Sequence, residues 1–258
     1  MNENLGSVAK YLDYIGKKMS GNVLSPCAAR PSFYLVCPCC SSQDENLGDF
    51  DDSGTKVCFG NITNAQGIFK YPFEKPITQG FGNYYELVDN LQQNPPPYLT
   101  EAWKLYQARG APYYRAYKSN KSLFILSPCW GLVRADFCLP HYNFEFAIRQ
   151  RVNQLDPHYR YIDDTGADLV QNWSGCGFNH LESDAKQNPQ KPIVVLGGKC
   201  YILRFRYLYC SAALRNPVYA LIGDDKCFNI LNQANLPNWN LIRVNSYTNW
   251  HYNYMKNL

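Results

Sequence analysis

The sequence lacks any long apolar segment. No run approaches the roughly 18 apolar residues that a membrane-spanning helix needs. The start of the chain also lacks a basic stretch followed by an apolar one, so the sequence predicts no export signal. These two absences favour a cytoplasmic protein without a membrane partner.

The sequence also lacks a strong charge and an internal repeat. Lys and Arg number 25 against 21 Asp and Glu, which gives a formal net charge of +4. Because the field of the whole molecule is weak, any contact with nucleic acid must come from a local patch. With 258 residues, 46% of them hydrophobic, the chain suits one large α/β domain over residues 1–258.

Nucleotide-cofactor motifs are absent as well. Gly197, Gly198 and Lys199 resemble half of a phosphate-binding loop, but they lack the spacing of G-x-x-x-x-G-K-[ST] and of G-x-G-x-x-G. The sequence therefore predicts no ATP, dinucleotide or other cofactor.

Cysteine is plentiful, with 11 residues, and reduced thiols are expected in a chain without an export signal. Cys37, Cys39 and Cys40 form a Cys-x-Cys-Cys cluster with no second Cys/His pair nearby, so no metal site is predicted. Buried thiols and a thiol that faces the substrate both remain possible interpretations of the cluster. Tyrosine is the compositional outlier, with 21 residues. Its rings suit stacking on bases as well as half-exposed core edges.

The hydrophobic pattern divides the chain into short strands, helices and irregular segments. A helical lead-in is predicted at 1–30, a long irregular insertion at about 43–99 and an aromatic tail at 237–258. The predicted strands are 33–36, 123–126, 193–196 and 218–222. The predicted helices are 84–91, 100–108, 112–118 and 144–155, with a helix or extended segment at 201–214.

Short apolar strands that alternate with helices predict an open, mostly parallel sheet with helices on its faces. In such sheets ligands bind outside the carboxyl ends of the strands. We therefore expect the strand ends at 37–42, 127–136, 197–199 and 223–225 to converge on one crevice.

Residues 123–146 are the most informative stretch. An apolar strand stops at Ser127, a turn built on Gly131 follows, and Asp136 comes soon after. Asp136 is the candidate catalytic carboxylate, since it could orient a water or stabilise cationic charge on a reacting sugar. A solvated turn carboxylate is the alternative.

A basic and aromatic run follows the strand at 193–196. Lys199, Arg204 and Arg206 are interleaved with tyrosine and phenylalanine. Basic groups neutralise phosphates while rings stack on exposed bases, so the run is the candidate DNA-binding surface. The alternative is a partly buried helix with a snorkelling basic edge.

Several of these residues carry a resemblance to a known family, over roughly 33–40, 100–146 and 192–205. The matching pieces are Tyr34-Leu35-Val36-Cys37, Ala102-x-x-Leu105-Tyr106, Tyr114-x-Ala116-Tyr117, Phe124-Ile125-Leu126-Ser127, Gly131-Leu132-Val133, Asp136, Pro140-x-Tyr142 and Val194-Val195-Leu196-x-Gly198-Lys199. This pattern resembles the YaaA-type peroxide-stress proteins and their shorter relatives. Trp130, Arg134, the Pro38-Cys39-Cys40 segment and the long insertion depart from it.

The resemblance implies a core like that of uracil-DNA glycosylase, DNA binding, and similarity to base-handling domains of tRNA-modifying enzymes. It implies a binding-crevice role for Cys37, Ser127, Asp136, Tyr142 and Lys199. We add Cys39, Trp130 and Asn143 as candidate base-binding residues.

The function predicted from this pattern is that of a DNA glycosylase-like hydrolase that excises or processes a modified, flipped base, as in DNA repair or antiviral defence against modified phage DNA. The alternatives are a non-catalytic DNA-binding stress protein and a module that binds a tRNA base or nucleoside.

Overall fold

A computed structural model describes residues 33–39, 88–95, 99–106, 122–139, 145–148, 159–169 and 177–244. Several predicted features lie outside the described residues. They are the lead-in at 1–30, most of the insertion at 43–99, the helix at 112–118, the tail beyond 244, and both Tyr142 and Asn143.

Eleven strands and four named α-helices occur in this described part of the chain, and residues 88–90 are helical as well, within the predicted helix at 84–91. The strands are β1 Tyr34–Pro38, β2 Thr100–Glu101, β3 Leu123–Ser127, β4 Gly131–Arg134, β5 Cys138–Leu139, β6 Glu145–Ile148, β7 Tyr159–Ile162, β8 Phe178–Asn179, β9 Ile193–Val195, β10 Val218–Ile222 and β11 Trp239–Arg243. The helices are α1 Ala102–Leu105, α2 His180–Gln187, α3 Lys199–Ser211 and α4 Asp225–Gln233, with a 3-10 turn at Leu91–Gln93.

Seven strands form the main sheet, in the order β11-β10-β9-β1-β3-β4-β8. The five strands from β11 to β3 run parallel, β4 runs antiparallel to β3, and β8 runs parallel to β4. The predicted α/β class with an open, mostly parallel sheet flanked by helices is confirmed. Two separate pairs, β2-β5 and β6-β7, lie beside it.

Both faces of the central strands are covered, which explains why these strands are continuous apolar runs. β1, β3, β9 and β10 are buried along their whole length. Side chains of α2, α3 and α4 pack on one face, around Val36 and Phe124. Trp103 of α1, together with Trp130, packs on the other face. No helix in the described part of the chain is long and apolar enough to cross a membrane.

The predicted helix at 144–155 is wrong over the part that is described, because Glu145–Ile148 is strand β6. This segment pairs in parallel with β7, residue by residue. The pairing satisfies its backbone groups with a partner that local periodicity does not reveal. The predicted helix at 100–108 is shorter than expected, since Thr100 and Glu101 pair with β5 and the helix spans only Ala102–Leu105.

Candidate functional site

The sheet reverses its strand order between β1 and β9. The chain continues from β1 toward β3 on one side, and from β9 toward β10 on the other. Such a reversal leaves a crevice at the carboxyl ends of the two strands, which is where open α/β sheets bind ligands. Pro38, Cys39, Gly197, Gly198 and Lys199 occupy this position, and we call them the carboxyl-edge crevice.

Glycine is required at the edge of the crevice. Gly197 has a φ of +150°, and a methyl group there would stand 3.0 Å from Cβ of Tyr201 and 3.6 Å from Cδ of Pro38. The side-chain-free backbone lets the chain pass between β1 and the first turn of α3. At Gly198, by contrast, an added methyl would meet no atom within 4 Å, so the space in front of α3 is open.

The amino end of α3 provides positive electrostatic potential at the crevice. Its N-cap is Gly198, which offers no side chain to the first amide groups. Unpaired amides and the helix dipole at such an end favour an anion. Lys199 adds a positive charge there, although its Nζ lies 2.9 Å from Oδ1 of Asp164. A cavity of about 150 Å³ adjoins the crevice and reaches Asp224, which caps α4 by accepting from the Cys227 amide at 2.6 Å.

The thiols of Cys37 and Cys39, near the crevice, are buried. The Cys39 Sγ lies 3.2 Å from the Tyr201 hydroxyl, and the Cys37 thiol donates to the Phe124 carbonyl at 3.6 Å. Burial, reinforced by Cys39, raises the pKa of Cys37 well above its usual value. No group of His, Cys, Asp and Glu with the makings of a metal site occurs in the described ranges, which do not include Cys40.

A tight loop over residues 163–168 fixes Asp164 beside the crevice. Oδ1 of Asp163 accepts from the amides of Thr165 and Ala167 at 2.7 and 3.1 Å, which closes the turn. Gly166 then lies against the backbone of α3 at Leu203. The sequence suggests this turn, but nothing in it shows that the turn packs on α3, so the position of Asp164 could not be predicted.

Two candidate DNA-binding residues differ sharply in position. Arg204 is a core residue with a side chain 5% exposed, bonded to Asp168 and to the Gly166 carbonyl. A guanidinium held in this way is not on the surface where a DNA phosphate would meet it. Arg206 is partly exposed, and its Nε has no hydrogen-bond partner among the described residues. Of the three candidate DNA-binding residues, only Lys199 lies at the crevice.

The hairpin β3-β4 separates Ser127 from Asp136. Ser127 pairs with Gly131 at the carboxyl edge of β3, whereas Arg134 pairs with Phe124 near the opposite end. Asp136 follows Arg134, so it lies at the edge away from the crevice, where the Arg134 Nε donates to it at 3.1 Å. The strand ends at 127–136 therefore do not all converge, because β4 returns the chain across the sheet.

Ser127 and Trp130 are structural in this arrangement. Oγ of Ser127 accepts from the amides of Cys129 and Trp130 at 3.2 and 3.1 Å, which fixes the turn between β3 and β4. Both Ser127 and Trp130 are fully buried. A ring in this position packs the core, so it does not present a face for stacking on a base.

His180 forms a second cluster, beside Asp136. Its Nδ1 accepts from the Arg134 amide at 3.1 Å, and its ring packs on Phe137 and Phe178. Burial first, and then the charge of Arg134, lower the pKa of His180 to about 4. The imidazole is therefore neutral at physiological pH.

The structure thus brings Cys39 and Lys199 together at the crevice, with Cys37 beneath it, and places Asp136 elsewhere. Asp164 is the carboxylate next to Lys199 that sequence reasoning missed. No protein-family model matches the chain, and neither the curated proteins nor the solved structures contain a significant match to it.

Proposed function

We propose that the protein binds a base of a nucleic acid at the carboxyl-edge crevice and hydrolyses its N-glycosidic bond, the simplest substrate being a modified base in DNA. The observation that supports this is the reversal of strand order between β1 and β9, with α3 beginning at the crevice. Positions of this kind bind ligands with phosphate groups in open α/β sheets. A core like that of uracil-DNA glycosylase, as the resemblance to YaaA-type proteins implies, belongs to the same proposal.

The proposed binding step uses the amino end of α3 and Lys199. Both favour a phosphate next to the crevice. A base extruded from the duplex would then lie in the open space in front of Gly198, where an added methyl group meets no atom within 4 Å. Cys39 and Tyr201 supply a thiol and a hydroxyl at the crevice.

In the proposed chemical step the catalytic carboxylate is Asp164 and not Asp136. Loss of the base with the electron pair of the glycosidic bond leaves positive charge on the sugar. Water then adds to that carbon, and the proton that the water releases neutralises the departed base. Asp164 lies beside Lys199 and is about one-third exposed, so it can stabilise this charge. Asp136 cannot act at the same site, since it lies at the other edge of the sheet.

A second candidate is a protein that binds DNA, a tRNA base or a nucleoside without catalysis. The distance of Asp136 from the crevice favours it, because the expected catalytic acid is absent from the expected position. Burial also raises the pKa of Cys37 well above its usual value, so this thiol beneath the crevice is not a thiolate nucleophile.

Strand cleavage at abasic sites separates the two candidates. Duplexes with a panel of modified bases are incubated with the protein, heated in alkali and run on a denaturing gel. Glycosylase action predicts strand breaks at the modified base. In Asp164→Asn the rate at which these breaks form should fall by a factor on the order of 10²–10³. The matched control Asp136→Asn keeps wild-type turnover.

Other outcomes of the same assay favour the alternatives. Binding without breaks on every duplex favours the non-catalytic candidate. Loss of turnover in Asp136→Asn but not in Asp164→Asn would overturn the assignment of Asp164 as the catalytic carboxylate.

A further inference from the structure

Lys199 and Asp164 place an amine and a carboxylate side by side at the carboxyl-edge crevice. The Lys199 Nζ lies 2.9 Å from Oδ1 of Asp164, and the two side chains are 17% and 35% exposed. Asp164 belongs to the loop at 163–168, 35 positions earlier in the chain. The two other lysine–carboxylate pairs in the described ranges join residues three or four positions apart, and their lysines are about half exposed. The Lys199–Asp164 pair is thus long-range, more shielded from water and next to the crevice.

This ion pair contributes little to holding the structure together. A pair that is partly open to solvent adds little to stability. Other contacts already fix the loop on α3, since Gly166 packs against Leu203 and the Arg204 Nη1 donates to the Gly166 carbonyl at 3.0 Å. Lys199 is also the first residue of α3, where a cation opposes the partial positive charge of the helix end. A structural role therefore does not account for an amine at this position.

Space for a substrate adjoins the amine. Lys199 lines the cavity of about 150 Å³ next to the crevice, and a methyl group added to the preceding residue, Gly198, meets no atom within 4 Å. In the proposed function the extruded base lies in front of Gly198, which brings the sugar attached to it close to Lys199. Removal of the base leaves an abasic sugar, whose C1′ becomes an aldehyde when the ring opens. A lysine amine that meets an aldehyde can form a Schiff base with it.

We propose that the protein has a second activity, cleavage of the DNA strand at an abasic site, in which Lys199 is the amine nucleophile and Asp164 is the base. This inference rests on the proposed function for the position of the DNA at the crevice. It goes beyond that function because its substrate is the abasic site itself, whichever reaction has removed the base.

The proposed cleavage proceeds through a Schiff base. Asp164 takes a proton from the Lys199 ammonium group, and the neutral amine adds to C1′ of the ring-opened sugar. Asp164 returns the proton to the hydroxyl group on C1′, which leaves as water and gives a protonated Schiff base. Asp164 then removes a proton from C2′, the C3′–O bond breaks, and the 3′ phosphate leaves with the electron pair. Water hydrolyses the remaining Schiff base and restores Lys199, while Asp164 releases its proton to the solvent.

Reductive trapping on DNA with a preformed abasic site tests the proposal without a glycosylase step. The full chain is incubated with a duplex that carries one abasic site and with sodium cyanoborohydride, which reduces a Schiff base to a stable secondary amine. A covalent protein–DNA product is expected on a denaturing gel, and peptide mass spectrometry should place it on Lys199. A duplex with a tetrahydrofuran analogue, which has no aldehyde at C1′, should give no product. The absence of a covalent product from the abasic duplex, or a product on other amines only, would overturn the proposal.

Two arginine variants separate the amine from its positive charge. Lys199→Arg keeps the charge, but a guanidinium group forms no such Schiff base, so the yield of covalent product should fall by a factor on the order of 10² or more. The matched control Lys191→Arg changes a lysine that precedes β9, at the opposite edge of the sheet, and should keep the wild-type yield. An undiminished yield in Lys199→Arg would contradict the assignment of Lys199 as the nucleophile.

Strand breaks at the preformed abasic site, measured without alkali, test the role of Asp164. In Asp164→Asn the breaks should form more slowly by a factor on the order of 10². A wild-type rate in this variant would overturn the assignment of Asp164 as the base. A protein that is trapped on abasic DNA but creates no abasic site supports this inference and overturns the proposed glycosylase step. A protein that creates alkali-labile sites but is never trapped overturns this inference alone.

Discussion

Gly166 lies so close to Leu203 that a methyl group on Gly166 would stand 2.0 Å from the Leu203 carbonyl oxygen. This contact joins the loop at 163–168 to the middle of α3. It holds Asp164 beside Lys199 and Asp168 beside Arg204. One glycine thus fixes the loop that places Asp164 at the crevice and Asp168 beside Arg204 in the core.

Gly166→Ala should lower the free energy of unfolding by more than about 2 kcal/mol. The left-handed backbone at a φ of +87° costs any other residue roughly 1–2 kcal/mol, and the clash with Leu203 adds to that. Gly198→Ala is the matched control: φ is −69° and no atom lies within 4 Å, so the change should stay within about 1 kcal/mol. Urea unfolding measures both, and equal losses would contradict the packing of the loop on α3.

The stability of the protein should depend on pH through His180. Its pKa is lowered to about 4 in the folded state, so between pH 4 and 6.5 the unfolded chain binds a proton that the native protein does not. The free energy of unfolding should therefore rise by about 3 kcal/mol from pH 4 to 6.5 and gain nothing further from His180 at higher pH.

The control for this prediction is His180→Asn, which keeps an acceptor near the Arg134 amide. Denaturant unfolding at a series of pH values should give a shallower rise for this variant than for the wild type. Identical slopes for the two proteins would show that His180 titrates normally.

Thiol reactivity should separate the described cysteines. Cys210 is exposed, whereas burial raises the pKa of Cys227 to about 12. Because the thiolate is the reactive form, iodoacetamide at pH 8 should modify Cys210 at least on the order of 100-fold faster than Cys227 or Cys37. Peptide mass spectrometry of labelled samples measures the rates, and unfolding in urea should equalise them. Comparable rates in the native protein would contradict the burial of Cys37 and Cys227.

If the protein binds DNA at the crevice, Lys199 and Arg204 should differ in their effect on the salt dependence of binding. Lys199→Met should lower the slope of log K against log salt by roughly 0.7–0.9, the share of one phosphate contact. Arg204→Met should leave the slope unchanged, since its guanidinium is buried beside Asp168. Fluorescence anisotropy over a salt series measures both. A wild-type slope in Lys199→Met would move the DNA surface away from the crevice.

The central strands were predictable because their pattern is local. Val218–Ile222 is a buried apolar run, and the strand found matches the predicted range residue for residue. The strands and helices that were not predicted are β2, β4, β5, β6, β7, β8, β11, α2 and α4. Of these, β8 has two residues, which is too few to show a period. Arg160 also went unnoticed, because its need for a buried partner becomes visible only when Asp168 is placed beside it.

The topology of the sheet explains why part of the candidate site could be predicted and part could not. Cys39 and Lys199 follow parallel neighbouring strands, so the rule for carboxyl ends places them together. Asp136 follows a strand that turns back, and the tight turn at Gly131, with a φ of +77°, starts that antiparallel return. The sequence signals a turn at this position but not how far the chain travels after it.

The reversal of strand order also has a consequence for how the chain folds. Strands β9, β10 and β11 with the two helices between them form a contiguous segment over residues 193–243, whose contacts close only short loops. β1 lies between β9 and β3, so its pairing with β9 must wait until residues 34 and 193 meet, at the entropic cost of a very long loop. The carboxyl-terminal segment is therefore expected to gain protection against hydrogen exchange first during refolding, and the crevice, which needs both β1 and β9, to be among the last features to form.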